Sequence, residues 1–135
     1  MKSDLESVPR TSLVHGHLTS KIIAAAIEVH RELGPGLLES AYQACLCHAL
    51  ALRNVNFQCQ VALPVNYKAI RLDCGYRIDL VIDDKVAVEL KSVEKLAPIH
   101  ESQLLTYLRL SGLRVGLLIN FNVRMLRQGI IRRVI

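Results

Sequence analysis

Tryptophan is absent from this sequence and other aromatics are few, two Phe and four Tyr. That scarcity argues against the stacking platform by which single-strand binders hold successive bases, and it leaves the core to aliphatic side chains. No apolar run approaches the roughly 20 residues that cross a bilayer. The opening MKSDLESVPR also lacks the continuous apolar region of a secretory signal. A cytoplasmic protein with no membrane association is therefore expected. The cysteines Cys45, Cys47, Cys59 and Cys74 make neither a CxxC pair nor a zinc-like spacing with histidine, so reduced, buried thiols are expected. Acid is missing too: from Ser102 to the C-terminus there is no Asp or Glu.

What fills that acid-free third is arginine. Arg109, Arg114, Arg124, Arg127, Arg132 and Arg133 all fall there, in a chain of net charge +5. Guanidinium forks match phosphate oxygens, and neutralising phosphates releases counterions. Arg114, Arg124, Arg127, Arg132 and Arg133 are accordingly candidates for nucleic-acid contact, the alternative being a solvated basic surface. With 135 residues and 51% hydrophobic content, the chain has enough apolar material for one domain with a full core.

The hydrophobic period orders the elements. Residues 1–18 lack sustained periodicity and read as a flexible tail, leaving 19–135 as the domain. Behind Thr19 as N-cap, Ile22, Ala26, Val29 and Leu33 recur at helical spacing until Gly34-Pro35-Gly36 ends the run. A second helix is predicted from about Leu37 to Arg53, with Leu38, Ala41, Cys45, Ala49 and Leu52 on its buried stripe. After Asn54 the period drops to two. Segments 58–65, 69–72, 76–82 and 85–93 read as an antiparallel meander. Pro98 opens a third helix that Gly112 stops, and 114–120 and 130–135 read as further strands.

One strand is anomalous. KVAVELKSV, residues 85–93, has the apolarity of a buried strand yet carries Glu89 and Lys91. If its apolar row shares a face with that of RIDLVI, residues 77–82, Ile82 lies opposite Val86 and Asp79 falls across from Glu89. Like charges directly opposite on a sheet destabilise it. Either a hard divalent cation sits between them, or Arg77 and Lys91 complete a four-member salt lattice. The same face carries Val81 and Ala87, which suits a partly covered site better than a surface lattice. Lys91, two residues beyond Glu89, lies on that face within reach of a scissile phosphate.

Asp79 followed by Glu89-Leu90-Lys91 on the next strand, with a helical glutamate upstream, resembles the D…ExK signature of the PD-(D/E)XK nuclease superfamily. Gly36-Leu37-Leu38-Glu39-Ser40-Ala41-Tyr42 reads as GxxExxY and resembles the motif of the GxxExxY protein family within it. Gln103 and Tyr107, in QLLTYL, and the strand GLLINF resemble that family in order, with coverage from about Thr19 to the end. The resemblance implies a restriction-endonuclease-like α/β (α+β) core, a mixed central sheet flanked by helices. It implies Mg²⁺ or Mn²⁺ held by Glu39, Asp79, Glu89 and the Leu90 backbone carbonyl. It further implies Asp79, Glu89, Lys91 and Gln103 as catalytic residues, with Tyr42 and Tyr107 in support.

The expected function is metal-dependent phosphodiester hydrolysis, with DNA as the expected partner. A chain that is almost all core leaves sequence specificity to a homodimer or another partner. The alternative is a non-catalytic nucleic-acid-binding or protein-interaction module on the same scaffold.

Overall fold

A computed structural model describes residues 13–135; most of the expected tail, residues 1–12, lies outside the described residues. Helices α1 (Gly16–Leu33) and α2 (Glu39–Leu52) come first. Strands β1 (Phe57–Ala62), β2 (Val65–Tyr67), β3 (Ile70–Leu72), β4 (Arg77–Ile82) and β5 (Val86–Lys91) follow. Helix α3 (Pro98–Ser111), strand β6 (Val115–Asn120), a short 3-10 helix (Leu126–Gly129) and β7 (Ile130–Val134) end the order.

Five strands form one sheet in the order β1-β4-β5-β6-β7. All neighbours are antiparallel except β5 and β6. A parallel pair needs a crossover, and α3 supplies it. The apolar row Leu80, Ile82, Val86, Val88 and Leu90 packs in one core with residues of α1 and α2. Val81 and Ala87 pack in a second core with Tyr107 and Leu108 of α3. Covered on both faces, β5 and β6 are buried almost throughout. Gly116 belongs to this arrangement, since a Cβ there would come within 2.8 Å of the buried Leu104 side chain, which would have to shift.

Several expectations need correction. Helix α1 begins three residues before Thr19, whose buried hydroxyl donates to the Gly16 carbonyl at 3.2 Å. Thr19 is thus inside the helix, and residues 16–18, read as tail, are helical. Leu33 is exposed. The buried stripe of α2 is Tyr42, Leu46, Ala49 and Leu50, whereas Leu38 and Leu52 are 77% and 68% exposed. ESAYQACLCHALAL is apolar on most sides, so packing selects the face: Tyr42 stacks on Phe121 with ring centroids 4.4 Å apart. The strands are not one meander either. β2 and β3 pair only with each other, as a hairpin inserted between β1 and β4.

The β4–β5 hairpin keeps the expected register, Ile82 opposite Val86. Asp83 and Asp84 both take left-handed φ, and the Lys85 amide donates to the Ile82 carbonyl at 2.9 Å. Lys85 is the extra residue that preserves the parity of the two strands.

Candidate active site

The antiparallel ladder of β4 and β5 stops at Leu80 opposite Val88. Beyond it, side chains take over the backbone donors: the Asp79 amide donates to Glu89 Oε1 at 3.1 Å, and the Leu90 amide donates to Asp79 Oδ2 at 2.8 Å. The two acids that the register brings together are thus locked reciprocally, each bonded to the other strand. Among the described residues no ion pair links either acid to Arg77 or Lys91. Arg77 donates instead to the Tyr76 carbonyl, so the four-member lattice does not form.

Asp79 also marks a break in its strand. Leu80 packs in the α1–α2 core but Ile78 packs in the α3 core, contrary to an unbroken apolar row from Ile78 to Ile82. Opposite the break, Gln60 of β1 holds φ at 51°, a left-handed value that is rare within a strand. The consequence is that Asp79 lines a cleft of about 480 Å³ on the α2 side. Glu39 and Gln43 of α2, Gln60, and Leu90 share that cleft. Glu39, the first residue of α2, is exposed there and favoured by the helix dipole.

Glu89 is not on the cleft wall. It is buried in the central strand, and burial first and Asp79 second push its carboxyl up to about 8, with the Asp79 amide and the Lys91 ammonium opposing. Because its proton affinity is higher in the folded chain, the folded state keeps a proton between about pH 4.5 and 8 that the unfolded state has lost. Stability of the metal-free protein is therefore expected to fall as pH rises through that window, by a few kcal/mol at most, and to level above it. Glu89→Gln has nothing to ionise, so its thermal melts should lose that component of the slope. Identical slopes for the two proteins would contradict this assignment.

The supporting residues surround this centre. Lys91 is half-buried at the end of β5, paired in register with Asn120. From α3, Gln103 donates to the Tyr107 hydroxyl at 3.0 Å. Burial and then the Glu89 and Asp79 carboxyls raise the Tyr107 phenol above its usual range, while the Gln103 bond opposes them. The Tyr42 hydroxyl donates to the Gly34 carbonyl at 2.6 Å and accepts from the Leu37 amide at 3.2 Å, tying down the loop that delivers Glu39.

Four contributors escape the sequence reading. The Ser92 hydroxyl donates to the Leu37 carbonyl at 2.6 Å, linking the end of β5 to the loop before Glu39. Buried Asn120 bridges both backbone groups of Val93. Gln60 donates to Gln43 at 2.8 Å and to Asp79 Oδ1 at 3.3 Å. A polar residue closing the apolar run VGLLIN was a signal for Asn120 of the same kind as Glu89. Nothing in the sequence singled out Ser92, Gln43 or Gln60.

None of the five arginines offered as nucleic-acid contacts lines the cleft. They lie at or beside β6 and β7, on the sheet edge opposite β1. Arg133 pairs with Glu101, Arg132 donates to the Val14 carbonyl, and Arg114 approaches the Ile135 carbonyl at 3.5 Å. An acid-free stretch reads as one-signed only along the chain; in space Arg133 meets an acid from outside it, Glu101. The cysteines differ as well. Cys59, on the edge strand β1, and Cys74, between β3 and β4, are exposed, and Cys45 and Cys47 of α2 are half-buried. The Cys47 and Cys59 Sγ atoms lie 3.0 Å apart on the cleft wall, and burial together with Cys59 pushes the Cys47 thiol up to about 12.

A mixed five-stranded sheet, helices on both faces and an acid pair where two central strands separate define a restriction-endonuclease-like fold. A family model described as the PD-(D/E)XK nuclease superfamily matches residues 16–134, and the chain belongs to that superfamily. The comparisons with curated proteins and with solved structures gave no match.

Members of the superfamily generally use divalent metals. Among the described residues no three His, Cys, Asp or Glu side chains form a ready metal cage; Glu89 is turned to the Asp79 amide while Glu39 approaches from α2. The donor set nevertheless fits a hard dication. Glu39 and Asp79 line one cleft with Leu90, and carboxylate oxygens are donors of the type such ions prefer. The buried Glu89 beside them has no paired cation among the described residues.

Proposed function

We propose that the chain is a Mg²⁺- or Mn²⁺-dependent nuclease that hydrolyses phosphodiesters of DNA at the end of the β4–β5 hairpin. The observation that carries the reading is the acid pair Asp79–Glu89, held by backbone amides beside a cleft that contains Glu39, with no ion pair to either acid among the described residues. Buried like charges raise the energy of the site, and a bound dication offsets that cost. The GxxExxY form of residues 36–42 supports the finer assignment to the family of that name, because its Tyr42 fixes the loop that delivers its Glu39.

Glu39, Asp79 and the Leu90 carbonyl would hold the ion, joined by Glu89 once it ionises. The bound ion supplies charge neutralisation at the phosphoryl group and a more acidic water. Lys91 offers a second positive charge to the phosphoryl oxygens from a half-buried position, where electrostatic stabilisation is stronger than in bulk water. Gln103, braced by Tyr107, serves the site from the α3 side. Arg124 and Arg127, exposed on the β6–β7 connection, are proposed contacts for the flanking backbone, and a homodimer would extend that surface.

The test is plasmid nicking. Purified protein should relax supercoiled DNA with Mg²⁺ or Mn²⁺ and stop when the ion is chelated. Inertness with both ions, on DNA and on RNA alike, would overturn the reading.

A further inference from the structure

We infer that Gln60 is the positioning residue for the Asp79 carboxylate. Three observations meet on it. Its backbone lies at φ 51° within β1, a conformation that penalises every residue with a Cβ and so persists only where surroundings impose it. It faces Asp79 in the β1–β4 register, between Cys59 opposite Leu80 and Val61 opposite Ile78, and the packing alternation of β4 breaks at that same rung. Its side-chain amide is shared, with Nε2 donating to Gln43 Oε1 at 2.8 Å and to Asp79 Oδ1 at 3.3 Å.

An amide nitrogen has two hydrogens, so both bonds form at once, and a carboxylate accepts only. The orientation of the Gln60 amide is therefore dictated by Asp79. With Leu90 N on Oδ2 and Gln60 Nε2 on Oδ1, both carboxylate oxygens are tethered, one from β5 and one from β1. Gln43 carries the tether on to α2, the helix that presents Glu39. Gln60 thus ties Asp79 by hydrogen bonds to the helix that presents Glu39. Outer partners of this type typically change metal affinity or activity by about 10- to 100-fold when removed.

The inference rests on the reading of Asp79 as a site residue, and its test needs a readout that does not depend on metal or cleavage. Gln60→Gly suits the left-handed backbone and deletes the amide; Gln60→Glu keeps the length and loses the donor. If Gln60 positions Asp79, Gln60→Gly should melt no lower than wild type, while exchange of the Leu90 amide, which bonds Asp79, quickens by about tenfold or more. Gln60→Glu should disturb the Leu90 amide at least as much. Unchanged Leu90 exchange in both variants would overturn the inference, as would a loss of protection spread evenly over the sheet with a lowered melting temperature. Where wild type nicks plasmid, the Mg²⁺ concentration for half-maximal nicking should rise about 10- to 100-fold in Gln60→Gly with the DNA KM unchanged. A wild type that fails to nick counts against the proposed function alone, and the Leu90 exchange then decides the role of Gln60.

Discussion

Lys91→Ala is expected to fold like wild type and to lose DNA cleavage by about two to four orders of magnitude, the range for one electrostatic or acid–base group at a reacting centre. The asymmetry between fold and activity follows from its surroundings. Lys91 is half-buried at the last position of β5, and no salt bridge holds it among the described residues. Truncating it removes stem packing and a charge that favours ionised Glu89, a small loss for the fold. For the chemistry it removes a cation whose charge acts on Glu89 of the acid pair. Lys91→Arg should recover little, because a planar fork does not replace a compact ammonium at the same distance. Circular dichroism and melting temperature check the fold, and plasmid nicking checks the loss. Wild-type nicking by Lys91→Ala would remove Lys91 from the mechanism.

Asp79→Asn should separate binding from stability more sharply still. The substitution preserves shape, and the amide oxygen can still accept from the Leu90 amide. It removes the negative charge that, after burial, does most to raise the Glu89 carboxyl. Metal-free protein at pH 8 should therefore be as stable as wild type or more so. Affinity for Mg²⁺ or Mn²⁺ should drop by at least about a hundredfold, exceeding the loss seen when only an outer partner goes, and nicking should fall with it. Calorimetric titration and thermal melts on the same preparation measure both. A variant that binds the ion as wild type does would show that Asp79 is no ligand, whatever its effect on activity.

The central part of this arrangement was legible because it violates a pattern. Charges at Asp79, Glu89 and Lys91 interrupt strands that otherwise alternate cleanly, and register then forces the two acids together. Helix ends were readable where proline and glycine mark them, as at Pro98 and Gly112. The face of α2 was not, since its sequence is apolar nearly all round and Phe121, 79 residues beyond Tyr42, makes the choice. The surroundings of the arginine cluster were hidden for a related reason: linear runs of charge do not reveal that Arg133 meets Glu101 or that Arg132 meets Val14. Gln60 was illegible because its importance lies in its backbone angle and in the two side chains it touches. Neither has a signature in composition or spacing.

The proposed chemistry depends on a dication in the cleft shared by Glu39, Asp79 and Leu90. Crystals soaked in Mn²⁺ and measured near the manganese absorption edge test it without reference to substrate. One strong anomalous peak is expected within bonding distance of the Asp79 carboxylate, with Glu39 and the Leu90 carbonyl around it and Glu89 drawn toward it. An ordered ion elsewhere, or no peak while the Asp79 and Glu89 carboxylates keep their bonds from the Leu90 and Asp79 amides, would contradict it.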